Sequence, residues 1–122
     1  MKKSELEKRL IKFSVSIIEM TKILDDNYAA QHLSRQIIRS GTSSALNYGE
    51  AQGSPTKKDF IHKISVVLRE LRETQINLKI IADTGLMKDT VLLRNILDEN
   101  SQLVAIFTKT FQTARQNENK EK

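Results

Sequence analysis

The sequence contains no cysteine and no tryptophan, and it has one proline and four glycines. Without cysteine the chain can form neither a disulfide scaffold nor a thiolate metal site, and this fits a reducing compartment. So few prolines and glycines argue against a turn-rich β protein. No apolar run approaches the roughly 20 residues that cross a membrane, and Lys12, Ser14 and Ser16 interrupt the place where a signal peptide has its apolar segment. We therefore predict a cytoplasmic protein with no membrane association.

The abundant residues are leucine, isoleucine, lysine, arginine, glutamate and glutamine, most of which favour helices. The 122 residues are enough for one domain with a modest core, and we predict an all-α fold. Lysine and arginine number 20 against 15 aspartates and glutamates, so the net charge is +5. A basic balance favours polyanionic partners, because the release of counterions drives such binding. The same balance is also common in small domains that bind no polyanion.

Apolar residues recur at spacings of three and four in four segments, at about 5–24, at about 29–52, from the Thr56 region to near Gly85, and from about 89 onward. The last segment has a possible irregularity at residues 98–101. Short connections between four helices predict an antiparallel up-down four-helix bundle. We assign the bundle to residues 1–116 and a disordered polar tail to residues 117–122.

Three local signals mark the predicted helix ends. Ser4 with Glu7 and Thr56 with Asp59 have the spacing of capping boxes at helix starts. Gly53 is suited to a left-handed cap at the end of the second helix.

The stretch IIRSGTSSALNYGEAQG, residues 37–53, is rich in small and polar side chains. A loop, a phosphate-binding loop and a thin helix are the alternatives. The stretch lacks the lysine of a P-loop and does not follow a strand, and the helical spacing continues through Gly41. We therefore predict one continuous helix, with Gly41, Ser44 and Ala45 on a face that a neighbouring helix approaches closely.

A polar stripe runs beside that face. It consists of Gln36, Ser40, Ser43, Asn47 and Glu50. Polar groups at the edge of a packed face need hydrogen-bond partners, and a partly buried Asn or Glu can fix the register of the packing. Because the helix dipole disfavours a carboxylate near a helix C-terminus, we expect Glu50 to pair with Lys57, with Lys58 or with a cation of another subunit.

The third segment carries an apolar arc wider than one core needs. Its apolar positions include Ile61, Val66, Val67, Leu68, Ile76, Ile80, Ile81 and Ala82. An arc well over about 100° indicates burial on two sides. The second side is either a subunit interface or, in a small bundle, contact with all three other helices. The residues alone leave both alternatives open.

A family resemblance covers about residues 33–87. The motif R-Q-x-x-R-S-G-T-S-x-x-x-N-x-x-E-A-x-G, then D-F-I-x-K, then E-x-x-E-T, falls on Arg35, Gln36, Arg39, Ser40, Gly41, Thr42, Ser43, Asn47, Glu50, Ala51, Gly53, Asp59, Phe60, Ile61, Lys63, Glu70, Glu73 and Thr74. On these residues the chain resembles the four-helix-bundle proteins encoded in intervening sequences of bacterial large-subunit ribosomal RNA. The accessory variability proteins of diversity-generating retroelements are related to that family. Members usually have aromatic residues after E-T, where this chain has Gln75, Ile76 and Asn77.

The resemblance implies an antiparallel bundle that assembles into a homopentameric ring with a basic surface, which favours the subunit-interface alternative for the third helix. For the retroelement relatives it implies a reverse transcriptase and nucleic acid as partners. The residues that we assign to helix packing or to the subunit interface are Gly41, Ser43, Asn47, Glu50, Phe60, Ile64 and Glu73.

The sequence offers little catalytic chemistry. Asp59 and His62 have the carboxylate-x-x-His spacing of di-iron bundles, but the residue three before His32 is alanine, so no second element matches. Glu70 and Glu73 lie beside arginines and are better suited to ion pairs than to general acid–base work. We predict a protein that is not an enzyme and that binds no metal and no cofactor.

Five basic residues are predicted to contact phosphates: Arg35, Arg39, Lys57, Lys58 and Lys63. A ring would repeat each basic patch, so that many weak contacts act together. The predicted function is therefore a non-catalytic oligomeric adaptor that binds RNA or DNA, with a reverse transcriptase as a further candidate partner. The alternative is a protein-binding or structural oligomer whose basic face is only solvated.

Overall fold

The computed structural model describes residues 1–120, which form four helices and no strand. The helices are α1 (Lys3–Thr21), α2 (Tyr28–Gln52), α3 (Lys57–Thr84) and α4 (Thr90–Lys120). Each helix packs against the next one in the chain, and α4 also packs against α1. The all-α prediction is confirmed, and the arrangement is consistent with a four-helix bundle.

The start of α1 differs from the prediction. Ser4 lies inside the first turn and does not cap the helix with Glu7; the N-cap position is Lys2. The backbone N–H of Lys2 donates to the carboxylate of Glu5 at 3.4 Å. The capping-box spacing therefore identified the right turn of the chain but the wrong residues, because two acidic side chains compete for the same helix start.

The two signals around the α2–α3 connection have different outcomes. Thr56 caps α3 as predicted: its hydroxyl accepts from the backbone N–H of Asp59 at 3.1 Å and lies 2.8 Å from the Asp59 carboxylate. Gly53 does not adopt the left-handed conformation, since its φ is −97°. Among residues 1–120, positive φ occurs only at Gly85, which ends α3 with a φ of 67°.

The last helix is longer and more regular than the sequence suggested. No break occurs at residues 98–101, where the buried side chain of Asn100 donates to the carbonyl of Leu71 at 3.1 Å. The predicted disordered tail is wrong for residues 117–120, which are helical; residues 121 and 122 lie outside the described residues. Near its end, residues of α4 up to Asn117 line one groove together with Met1 and Leu6.

The small-residue stretch lies within α2, as predicted. A Cβ atom built on Gly41 would come within 3.1 Å of Cγ1 of Ile17, a fully buried residue of α1. The hydroxyl of Ser14 lies 3.1 Å from the Gly41 carbonyl across the same contact. The backbones of α1 and α2 therefore come together where α2 is thinnest.

The apolar arc of α3 is only partly covered in the single chain. Val67 and Leu71 are fully buried, whereas Ile76 and Ile80 are 56% and 43% exposed. Within the described residues α3 packs against α2 and α4 and not against α1. The alternative in which α3 contacts all three other helices is therefore wrong, and the outer side of the arc faces solvent.

The close contact at Gly41 generates a first prediction. Gly41→Leu should lower the free energy of unfolding by about 1–3 kcal/mol, because the new side chain must displace Ile17 in a packed core. Gly49→Ala is the matched control in the same helix, since nothing lies within 4 Å of its added Cβ. The control should gain about 1 kcal/mol from helix propensity. Urea unfolding measures the free energy of unfolding of both variants. The packing account is contradicted if Gly41→Leu raises this free energy and Gly49→Ala lowers it.

Candidate nucleic-acid interface

The seam between α2 and α3 is built around a buried carboxylate. Glu70 is only 5% exposed. Its carboxylate accepts from Arg39 at 3.3 Å, and Arg39 also donates to Glu73 at 2.9 Å. The hydrogen bond to Glu73, followed by the charge of Glu70, raises the pKa of Arg39 above its usual value. Arg39 thus compensates a buried charge of the seam, together with Arg69, whose guanidinium lies 3.7 Å from the same carboxylate.

Beneath this ion pair the seam is polar and closed. The hydroxyl of Thr74 lies 2.8 Å from the Ser40 hydroxyl and 2.8 Å from the Glu70 carbonyl. Both hydroxyl side chains are buried. The E-x-x-E-T and R-S segments of the motif therefore meet each other within one chain, and they hold α2 and α3 in register.

Three further residues of the polar stripe, Ser43, Asn47 and Glu50, are also paired within the chain. The side-chain amide of Asn47 donates to the carbonyl and the hydroxyl of Ser43, both at 2.9 Å. The carboxylate of Glu50 pairs with Lys63 rather than with Lys57 or Lys58. Lys63 lies about one and a half turns beyond the predicted partners, and its pairing with Glu50 shows that it is on the side of α3 that faces α2.

The two remaining packing candidates belong to the core. Ile64 is fully buried, and Phe60 is partly buried against the core cluster. Ile64 therefore has no surface to offer a second subunit. Of the residues that the sequence assigned to packing or an interface, Glu73 and Glu50 keep exposed side chains.

The five predicted phosphate-binding residues do not form one patch. Arg39 and Lys63 take part in the ion pairs just described, although the Arg39 side chain stays largely exposed. Arg35 lies fifteen residues before Glu50 on α2, about 22 Å along the helix axis, and so lies far from Lys63. Lys57 and Lys58 are exposed at the first turn of α3, at the Lys63 end. Outward direction on a helix does not reveal which cations pair with carboxylates of a neighbouring helix, and phosphate binding by these five residues stays a prediction.

The structure brings a different set of arginines together. Arg39, Arg69 and Arg72 line a groove of about 610 Å³ between α2 and α3. Arg72 and Leu68 also line a second groove of about 480 Å³ between α3 and α4, where Arg115 completes the wall. We call the four arginines of these two grooves the arginine surface.

The second groove is the less compensated part of the arginine surface. Its lining residues are Leu68, Arg72, Thr108, Phe111, Gln112, Arg115 and Gln116, and no carboxylate is among those that the structure describes there. The guanidinium of Arg115 lies 5.7 Å from the centroid of the Phe111 ring. Stacking on a ring orients an arginine and leaves its N–H groups free to bind an oxyanion.

The arginines that the sequence places beside Glu70 and Glu73 are Arg69 and Arg72, whereas Arg115 is absent from the predicted basic residues. Arg115 lies two residues before the segment assigned to the tail. The spacing of four between Phe111 and Arg115 was the available signal, because residues four apart lie on the same side of a helix.

Apolar side chains also remain on the surface. Ile11, Val15 and Ile18 form a stripe along α1 and are 50%, 51% and 36% exposed. On α3, Ile76 and Ile80 border the larger groove of the arginine surface. Exposed apolar stripes at helical spacing are typical of surfaces that contact another protein.

Residues 1–120 contain no cluster of three histidine, aspartate or glutamate side chains that could hold a metal ion. None of their helices has an apolar stretch of the length needed to cross a membrane.

The site is thus a set of arginines on the helices of a small all-helical protein. It belongs to the class of charged surfaces and not to the class of catalytic centres. The family model of the 23S rRNA-intervening sequence protein matches residues 2–109, and the chain belongs to that family. No curated protein matches the chain.

A solved structure supports the same family at the level of the fold. It is a crystal structure from Bacteroides thetaiotaomicron of a protein with unknown function from the S23 ribosomal protein family. This chain is 25% identical to it, with a TM-score of 0.81, over 92% of this chain and 99% of that one. Neither the family nor this relative indicates an enzyme.

The buried carboxylate generates a second prediction. Arg39→Gln should lower the free energy of unfolding by about 1 kcal/mol. This is the energy of a charged hydrogen bond, reduced because solvent screens the exposed guanidinium. Arg35→Gln is the control. Arg35 is also an exposed arginine of α2, and its replacement should leave the free energy of unfolding unchanged. In a Glu70→Gln background, Arg39→Gln should have a much smaller effect, because no buried charge remains to compensate. Thermal and urea unfolding would measure this; equal effects of Arg39→Gln in both backgrounds would contradict the account.

Proposed function

We propose that this protein is a non-catalytic, homo-oligomeric adaptor that binds the phosphates of RNA or DNA through its arginine surface. In this proposal the four helices form an up-down bundle and the bundles assemble into a pentameric ring in the cytoplasm. The resemblance to the retroelement accessory proteins adds a reverse transcriptase as a candidate protein partner. The ring would place five arginine surfaces on one particle, so that individually weak phosphate contacts act together.

One observation carries the nucleic-acid part of the proposal: the groove that holds Arg72 and Arg115 has no carboxylate among its described lining residues. Guanidinium groups bind phosphate with two parallel hydrogen bonds. The amides of Gln112 and Gln116 line the same groove and supply further uncharged donors. This chemistry suits a repeated phosphate backbone and carries no base-specific pattern.

The oligomeric part is supported by the exposed apolar stripes. One lies on α1 at Ile11, Val15 and Ile18, and the other on α3 at Ile76 and Ile80. In the described chain α1 and α3 do not pack together. Two different apolar surfaces on one subunit suit head-to-tail contacts, which close into a ring when the rotation between subunits allows it.

The second candidate function is a protein-binding or structural oligomer without a nucleic-acid role. Leu46 favours it, because this residue of α2 is 67% exposed and is not part of the α1 or α3 stripe. An apolar side chain outside a ring contact is available to a different protein. In that case the arginine surface would contribute only to solubility.

The oligomer generates a third prediction. Light scattering at micromolar concentration should give a mass near five subunits, and Ile76→Glu should shift it to smaller species because a carboxylate would be desolvated in the contact. Val91→Glu is the control, since Val91 is 63% exposed at the start of α4, away from both stripes. A wild-type monomer, or identical dissociation by both variants, would contradict the proposed interface.

A fourth prediction concerns nucleic acid. Replacing both Arg72 and Arg115 with Gln should weaken binding to all sequences alike and lower the slope of log K against log salt by about 2 per subunit engaged. Replacing Lys8 and Lys12 of α1 with Gln removes the same charge from a helix that does not contact α3. Fluorescence anisotropy over a salt series would measure both variants.

The α1 variant shows whether binding depends on the arginine surface or only on the net charge of the protein. If the α1 variant loses as much affinity as the arginine variant, general basicity and not the arginine surface drives the binding. If the wild-type oligomer binds no nucleic acid even at low salt, the protein-binding alternative replaces the proposal.

A further inference from the structure

The start of α2 carries an exposed aromatic pair that the arginine surface does not include. The rings of Tyr28 and His32 are nearly parallel, with 14° between their planes and 6.4 Å between their centroids. Tyr28 is 79% exposed, the highest value among the large apolar and aromatic residues left on the surface. We call these two residues the aromatic step.

Nothing in the packing of the chain accounts for this exposure. The other tyrosine, Tyr48, is 4% exposed and has its ring edge-on to Phe107 at 5.4 Å. Tyr28, by contrast, contributes to no part of the core cluster. One face of an aromatic ring that is open to solvent, and backed by a second ring, is the arrangement on which unpaired bases stack.

The charges beside the aromatic step are compatible with a polyanion. Arg35 follows His32 by three residues and has an exposed side chain. Asp25 and Asp26 line one groove with Arg35; Asp25 pairs with Lys88 at 3.5 Å, and Asp26 accepts from the uncharged amide of Gln31 at 3.2 Å. A strand that approaches Tyr28 therefore has an arginine about two helical turns further along α2 for its phosphates.

The aromatic step is aligned with the arginine surface. Tyr28, His32, Arg35 and Arg39 follow one another at spacings of four, three and four, which keeps them on one side of α2. The eleven residues from Tyr28 to Arg39 extend about 16 Å along the helix. That distance matches about five nucleotides at the 3.4 Å spacing of a stacked strand.

We propose that the aromatic step is a base-stacking subsite that makes the protein prefer single-stranded over double-stranded nucleic acid. This inference rests on the proposed function, since it concerns how the same polyanion is held. A base in a duplex is already stacked on both faces and paired at its edge, so its face is not offered to Tyr28. An unpaired base stacks on the open ring while the strand continues past Arg35 toward the arginine surface. The preference is for unpaired bases and not for one base type, because every base has a π face.

The test compares three probes of equal length on the full-length oligomer. They are a labelled single-stranded deoxyoligonucleotide of mixed sequence, the same sequence in a duplex closed by hairpins at both ends, and an abasic strand with the same number of phosphates. Closing the duplex removes free ends on which a terminal base pair could stack. The wild type should bind the single strand more tightly than the other two.

The variants then isolate the ring. Tyr28→Ala should weaken binding of the single strand by about 5- to 150-fold, the effect of losing one stacked base, and should leave the duplex and abasic probes unchanged. Tyr28→Phe is the matched control, which keeps the ring and should keep the affinity. The single strand should also quench the tyrosine fluorescence of the wild type but not that of Tyr28→Phe, whose remaining tyrosine is buried.

The outcomes separate the two proposals. Equal wild-type affinity for all three probes, or no effect of Tyr28→Ala on the single strand, overturns the stacking subsite and leaves the phosphate-binding function standing. If Arg72 and Arg115 are required while Tyr28 is not, the same conclusion follows. If the wild type binds none of the probes at low salt, both the subsite and the proposed function are overturned.

Discussion

The carboxylate of Glu70 is buried between α2 and α3, and the arrangement of charge on this side of the protein depends on how it is compensated. Arg39 reaches it from α2 and also holds Glu73 on the surface. A buried carboxylate without a cation is costly, so the two helices keep the register that this pairing requires. The Thr74–Ser40 contact below and the Lys63–Glu50 pair further along follow the same register. Because residue numbers rise along α3 while they fall along α2 through these contacts, the two helices are antiparallel.

This use of charge divides the cations of the protein into two groups. Arg39 and Lys63 are held by carboxylates of the neighbouring helix, while Arg72 and Arg115 line a groove without a described carboxylate. A net charge of +5 is therefore not spread evenly over the surface. The same separation appears among the apolar residues, where Gly41 lets α1 and α2 approach closely while Ile76 and Ile80 stay exposed. The surfaces that remain available to partners are those whose side chains do not pack within the chain.

Membership of the 23S rRNA-intervening sequence protein family does not assign a biochemical role, and the solved relative is itself described as a protein of unknown function. A shared fold gives the positions of the helices but not the ligands of their surfaces. The argument for function therefore rests on particular side chains: the arginines of the two grooves and the exposed ring of Tyr28. These residues include several outside the recognised motif, most clearly Arg115 and Tyr28.

The sequence by itself determined the features that depend on neighbouring residues. The four helices, the continuity of α2 through Gly41 and the cap of α3 by Thr56 could all be predicted, because helical spacing and capping act within a few residues. Local signals were wrong at Ser4, which lies inside the first turn of α1, and at Gly53, whose φ is negative, and a polar composition concealed that α4 continues to Lys120. Only the tertiary structure decided which cations are available. Arg39 meets a carboxylate 31 positions away, and Arg115 meets the groove of Arg72 from another helix. Such pairings depend on the register between helices, which all the core side chains set together and which no local spacing encodes.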